Sequence, residues 1–109
     1  KAFIVVDTPF MGWSQKCINE FYTRKKAGDM WPGVFNPAYK YCSEHSIHDL
    51  LPSLVHWFDL DVLQEKVIAT GFNIASAGYI DRKGVYPNDI CLDGRESVGV
   101  IAVKPSNMV

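Results

Sequence analysis

FDLDVLQEKVIATGFNIASAGYI (residues 58–80), then a polar connection, then ESVGVIAVK (residues 96–104): this stretch decides the fold. It reads as helix, strand, long connection, strand. Asp59 is placed to cap the helix, with Phe58 before it and Leu63 after it spaced as a hydrophobic staple. Gly71 stands where a left-handed C-terminal cap is needed, and Phe72 is set to fold back onto Val67. Between the caps Leu60, Leu63, Val67 and Ile68 share one face, with Asp61, Gln64 and Glu65 largely off it. Residues 72–80 carry apolar groups on both alternating sets, Phe72, Ile74 and Ile80 against Ala75, Ala77 and Tyr79. Residues 98–103 are apolar almost throughout, which predicts cover on both faces. The turn-rich connection DRKGVYPNDICLDGRE (residues 81–96) lets the two strands pair antiparallel.

Working outward, composition sets broad bounds. The 109 residues suit a single domain, and a chain of this size buries roughly 65% of its unfolded surface. With 48% hydrophobic residues the chain is globular rather than disordered. The formal net charge of -1, with only the cluster Arg24-Lys25-Lys26, argues against nucleic acid as a partner; the cluster reads as a solvated helix end. Three widely spaced cysteines fit reduced thiols and a cytoplasmic setting better than a disulfide framework. The apolar run AFIVV stops at Asp7, too short for a membrane span.

Residues 1–8 read as a strand apolar on both faces, Phe3 and Val5 against Ile4 and Val6, and so as interior to a sheet. A chain that opens inside a covered strand looks incomplete. Asp7, Thr8, Pro9 and Phe10 then lie at the strand's C-terminal end, the edge where ligands bind in open α/β sheets. Equally, they read as an ordinary turn. Residues 14–27 form the next helical candidate, capped by Ser14, with Ile18, Phe21 and Tyr22 on its apolar face and Gly28 ending it. From residue 29 to 46 no period holds; the segment is rich in aromatic rings, which suits a lid, an acceptor-binding wall or a packing surface. A short helix is expected over residues 47–51, and an extended piece over 54–57.

Among constellations that carry chemistry, Cys42, His45 and His48, with His56 further on, are metal-competent. Their spacing matches neither paired Cys-x-x-Cys nor the His pair of structural zinc sites, so no metal is expected. Asp93-Gly94-Arg95-Glu96 has the character of a turn before a strand rather than of a catalytic dyad. No Gly-x-Gly-x-x-Gly follows a strand, and no recognisable nucleotide cradle is present.

The whole order, AFIVVDTPF, an aromatic segment, a helix ending in Gly-Phe as in DVLQEKVIATGFNI, and the hairpin GFNIASAGYI with VGVIAVKP, resembles the C-terminal half of a class I S-adenosylmethionine-dependent methyltransferase. The resemblance implies a partial Rossmann-like α/β sheet, a fifth strand plus an antiparallel sixth/seventh-strand hairpin, with flanking helices. It implies that the groups holding S-adenosylmethionine lie upstream of Lys1, in a missing N-terminal half that is this chain's first partner. No cofactor-binding residue is then expected here. The acceptor side carries over. Asp7, Thr8, Phe10, Trp13, Tyr39, Tyr41, His45, His48 and His56 are the candidates for binding a small-molecule acceptor, a histidine among them as a possible base. Core packing is the competing reading for each aromatic.

Two hypotheses stand. The chain is the acceptor-side portion of a methyltransferase, inactive alone, or it is a free-standing α/β module that binds a partner or itself. AFIVV lacks the charge, proline or bulge that blunts a free edge, which favours the first and predicts self-association of the isolated chain through the first strand.

Overall fold

Helix α2 (Leu60–Ala69) is set between its two caps as its sequence requires. Asp59 Oδ1 accepts the Val62 N–H at 2.8 Å, and the Leu60 N–H donates to the Tyr79 hydroxyl at 3.1 Å, so two of the first turn's free donors have partners. At the other end Gly71 has φ +96° and its N–H reaches the Ile68 carbonyl at 2.9 Å, the left-handed cap. Phe72 packs in the same cluster as Val67, and Phe58 with Leu63, as the staple and the cap anticipate.

The computed structural model describes residues 1–10, 15–41, 53–91 and 93–105, and of Tyr39 and Ile90 the backbone alone. Among the described residues the chain is a small α/β protein. In chain order it comprises β1 (Ala2–Asp7), α1 (Gln15–Lys26), β2 (Val34–Phe35), β3 (Val55–His56), α2, β4 (Asn73–Ile80) and β5 (Ser97–Val103). One antiparallel sheet has the order β1-β5-β4; β2 and β3 form a second, two-stranded ribbon. The expected antiparallel pairing of the last two strands is present, and β5 lies between β1 and β4, antiparallel to both. The expected Ser14 cap and the helix over 47–51 lie outside the described residues.

Helix α2 divides two cores. Leu63 and Val67 face the sheet and pack with Val98, Val100 and Ala102, flanked by Ile4, Val6, Ile74, Ala77 and Tyr79. Burying each large aliphatic side chain there contributes about 1.5–3 kcal/mol. Val62 faces the other way, into an aromatic core of Cys17, Phe21, Phe35, Ala38 and Trp57. Helical spacing predicts Ile68 on the buried face; it is 58% exposed, and Val62 is buried instead, because α2 has material on two sides rather than one.

Two further expectations are corrected. Among the described residues β1 is an edge strand, not an interior one, paired with β5 alone, and Phe3 is 72% and Val5 52% exposed on the face away from α2. β5 is likewise covered on one face only, with Val98, Val100 and Ala102 buried, while Gly99, Ile101 and Val103 are half-buried. On β4 a bulge between Ile74 and Ser76 shifts the register, so Ile74 and Ala77 face α2 together, which strict alternation forbids.

Helix α1 buries Cys17 and Phe21, one turn apart, and leaves Tyr22 exposed. It ends at Gly28, φ +83°, whose N–H reaches the Lys25 carbonyl while the Asp29 N–H reaches that of Arg24. Its basic end is not simply solvated. The Arg24 guanidinium lies 4.5 Å over the Phe35 ring, and Lys25 Nζ stands 2.5 Å from Asp59 Oδ2 and 3.3 Å from Asp61. The extended piece expected over 54–57 contains β3; its pairing with β2, which lies in the aperiodic segment, is unforeseen, and the ribbon is closed by a hydrogen bond from the Trp57 N–H to the Gly33 carbonyl at 2.8 Å. The Asn36–Pro37 peptide is cis.

Candidate functional site

The C-terminal end of β1 meets the start of β5 and the long connection before it. Thr8, Pro9 and Phe10 are buried, and their turn is held by backbone and hydroxyl together. The Thr8 N–H donates to the Glu96 carbonyl at 3.2 Å, the Thr8 hydroxyl donates to the Arg95 carbonyl, and the Phe10 N–H donates back to that hydroxyl at 3.2 Å. Asp7 remains exposed. Its Oδ1 accepts from the Tyr86 hydroxyl at 2.8 Å and from Ser97 Oγ at 3.4 Å, and Ser97 Oγ in turn accepts from Arg82 Nε at 3.1 Å. The Arg82 guanidinium lies 5.5 Å over the Tyr86 ring. Burial, and after it the neighbouring Asp7 carboxylate, holds the Tyr86 phenol above its ordinary pKa, so it stays a donor at neutral pH.

Behind Asp7 the Phe10 ring is packed against Phe21, Tyr22 and Tyr79 at centroid distances of 5.9–6.3 Å. The Arg95 guanidinium covers it at 4.1 Å and is forked onto Asp93 at 2.7 and 2.9 Å. Burial, ahead of smaller contributions from its neighbours, also raises Tyr79. The connection itself is stapled by Glu96, whose buried carboxylate accepts the N–H groups of Arg82 at 3.0 Å and Gly94 at 2.8 Å. That is turn chemistry, as the sequence suggests. An exposed carboxylate oriented by a phenol and a serine, the serine itself held by Arg82, can accept a hydrogen bond from a hydroxyl or amine and hold it at the strand end.

The nine sequence candidates do not form one site. Asp7, Thr8 and Phe10 come together, but Phe10 and Thr8 are buried and act in the turn. Tyr41 is half-buried in the aromatic core, 4.7 Å from the Phe35 ring. His56 stands largely exposed on β3, stacked on Phe58 at 4.2 Å with Trp31 edge-on at 5.3 Å, and the partial desolvation of its ring lowers its pKa. Alternation along the ribbon puts it on the side away from Phe35. Trp13, His45 and His48 lie outside the described residues, as does the side chain of Tyr39. Sequence reasoning missed Tyr86, Ser97 and Arg82. They stand 79 to 90 residues from Asp7 or sit in the turn-rich connection, and no local spacing signals them.

A cleft of about 340 Å³ lies apart from this end, between the C-terminus of α1 and α2, lined by Lys25, Asp29, Met30, Pro32, Glu65 and Lys66. Among the described residues no group of three His, Cys, Asp or Glu side chains is arranged to hold a metal ion, and no helix is long and apolar enough to cross a membrane. Nor do the described residues fit S-adenosylmethionine. β1 runs into Thr8-Pro9-Phe10 rather than a glycine turn, and the glycines with positive φ end helices or lie in the β4–β5 connection. No protein-family model matches the sequence, and no curated protein or solved structure matches the chain.

Proposed function

We propose that the chain is the acceptor-side, C-terminal portion of a class I S-adenosylmethionine-dependent methyltransferase domain of a cytosolic enzyme that methylates a small molecule. One observation carries the reading: β5 returns antiparallel between β1 and β4, while no strand among the described residues pairs with the other edge of β1. That is the place of the upstream strand in the resemblance. The capped helix ending at Gly71-Phe72 and leading into β4 supports it. The part assigned to this chain is to hold the acceptor. Asp7, oriented by Tyr86 and Ser97 at the end of β1, receives the acceptor's hydroxyl or amine hydrogen beside the Tyr86 ring. The cofactor is held by the upstream half, which supplies the methyl group and is this chain's first partner. A module that catalyses nothing is the second reading, favoured by the exposed Phe3 and Val5.

Calorimetric titration with S-adenosylhomocysteine tests the assignment. The chain alone is expected to show no saturable binding tighter than about 1 mM, roughly 4 kcal/mol, and the chain joined to its upstream half is expected to bind. Saturable binding by the chain alone, or no binding by the joined protein, overturns it.

A further inference from the structure

The outer edge of β1 offers backbone groups in a fixed pattern. The Thr8 N–H donates to the Glu96 carbonyl, and the register Ala2↔Ala102 to Asp7↔Ser97 then turns the amides and carbonyls of Ala2, Ile4 and Val6 toward β5. Those of Phe3, Val5 and Asp7 point outward. The Asp7 carbonyl already accepts the Phe58 N–H at 3.2 Å, which ends the open stretch there. Among the described residues nothing pairs with the outward groups of Phe3 and Val5, the two residues whose side chains also stand exposed on the face away from α2.

We propose that this edge pairs with the same edge of a second copy, antiparallel about a two-fold axis, with Phe3 of each copy opposite Val5 of the other. Outward groups belong to the odd-numbered residues, so odd faces odd in any such pair. Setting Val5 opposite itself brings Phe3 against Asp7, whose carbonyl is taken. Setting Phe3 opposite itself leaves Val5 facing Lys1. Phe3 opposite Val5 uses every outward amide and carbonyl of both residues in both copies. Because the Asp7 carbonyl is taken, backbone pairing ends at Phe3 and Val5, and Lys1, just before the strand, brings its ammonium toward the Asp7 carboxylate of the other copy at each end, a complementarity of charge that selects a second copy as occupant. Ile4 then meets Ile4 of the other copy on the α2 face, as a pair without hydrogen bonds between them. The inference concerns the 109-residue chain by itself and does not need the methyltransferase assignment; an upstream strand competes for the same edge.

Sedimentation equilibrium and a register-specific set of variants test it. The unaltered chain is expected to dimerise. Phe3→Lys with Val5→Lys sets like charges opposite in both pairs and raises the dissociation constant at least about tenfold. Phe3→Lys with Val5→Glu sets an ammonium opposite a carboxylate and restores the dimer. Both side chains stand in solvent, so far-ultraviolet circular dichroism stays that of the parent. Ile4→Cys, on oxidation, links the dimer because opposed residues of such a pair lie about 4.5 Å apart, and the link is lost in the double-lysine background. A monomer up to about 0.5 mM overturns the proposal. So does a Lys/Glu variant that behaves like the Lys/Lys one, or an Ile4→Cys chain that does not cross-link. None of these results alters the cofactor titration, so the two readings fail separately.

Discussion

Asp59→Ala removes two things at once, and the structure separates them. The carboxylate caps α2 through the buried Val62 N–H and pairs with Lys25, whose side chain is 31% exposed. Loss of an N-cap costs about 1 kcal/mol, and more where the orphaned donor is buried, as Val62 is. Loss of the partly exposed ion pair adds up to about 1 kcal/mol, softened because Lys25 keeps Asp61 at 3.3 Å. The expected total is about 2–3 kcal/mol, a large share of the roughly 5–15 kcal/mol that hold a domain this size. Asp59→Asn keeps an oxygen for Val62 and removes only the charge, so it should cost about 1 kcal/mol or less. Urea unfolding followed by tryptophan fluorescence reads both as midpoint shifts at constant slope. Although burial works against the charged form, the hydrogen bonds and charges of Asp59 and Asp61 raise Lys25 above 10.5. The pair's stabilisation is therefore complete below the unfolded value and lost as pH rises through the higher folded one. An Asp59→Ala chain within about 0.5 kcal/mol of the parent, or an Asp59→Asn chain as weak as Asp59→Ala, refutes the division.

Gly33→Ala should be among the most damaging single changes, at least about 3 kcal/mol, because its new Cβ would sit 1.6 Å from the Trp57 carbonyl oxygen across the β2–β3 ribbon. Thermal unfolding checks it, and a shift of only a few degrees counts against the close approach. A Cβ at Gly71 has no neighbouring atom within 4 Å, so the cost of Gly71→Val, about 1 kcal/mol or more, is set by the strain of φ +96° rather than by a clash at Cβ; Gly71→Asn should recover part of it in the same unfolding assay. His56 has a folded pKa lowered by burial, so the unfolded state binds more protons below about pH 6.5 and the native state loses stability as pH falls through that window. His56→Gln should flatten the dependence of the urea midpoint between neutral and mildly acidic pH, and an unchanged slope rules out a titrating role for this residue.

Local chemistry in the sequence determined α2 and its two ends. An aspartate before an apolar face, a glycine after it and a phenylalanine beyond fix a helix and its caps through contacts only a few residues long, and the geometry at Asp59 and Gly71 is as that spacing requires. The antiparallel pairing of β4 and β5 was legible for a similar reason, since a turn-rich connection between two apolar runs leaves few other arrangements. Tertiary structure alone decided which apolar faces are covered. Phe3 and Val5 are as apolar as Ile4 and Val6, and periodicity records that a side chain is apolar without recording what lies against it. It decided that Val62 rather than Ile68 is buried, because a second core stands on that side of α2. It also decided the company of Asp7. Tyr86 and Ser97 reach its carboxylate only because β5 folds back beside β1, a pairing between residues 79 and 90 positions apart that no local pattern of sequence encodes.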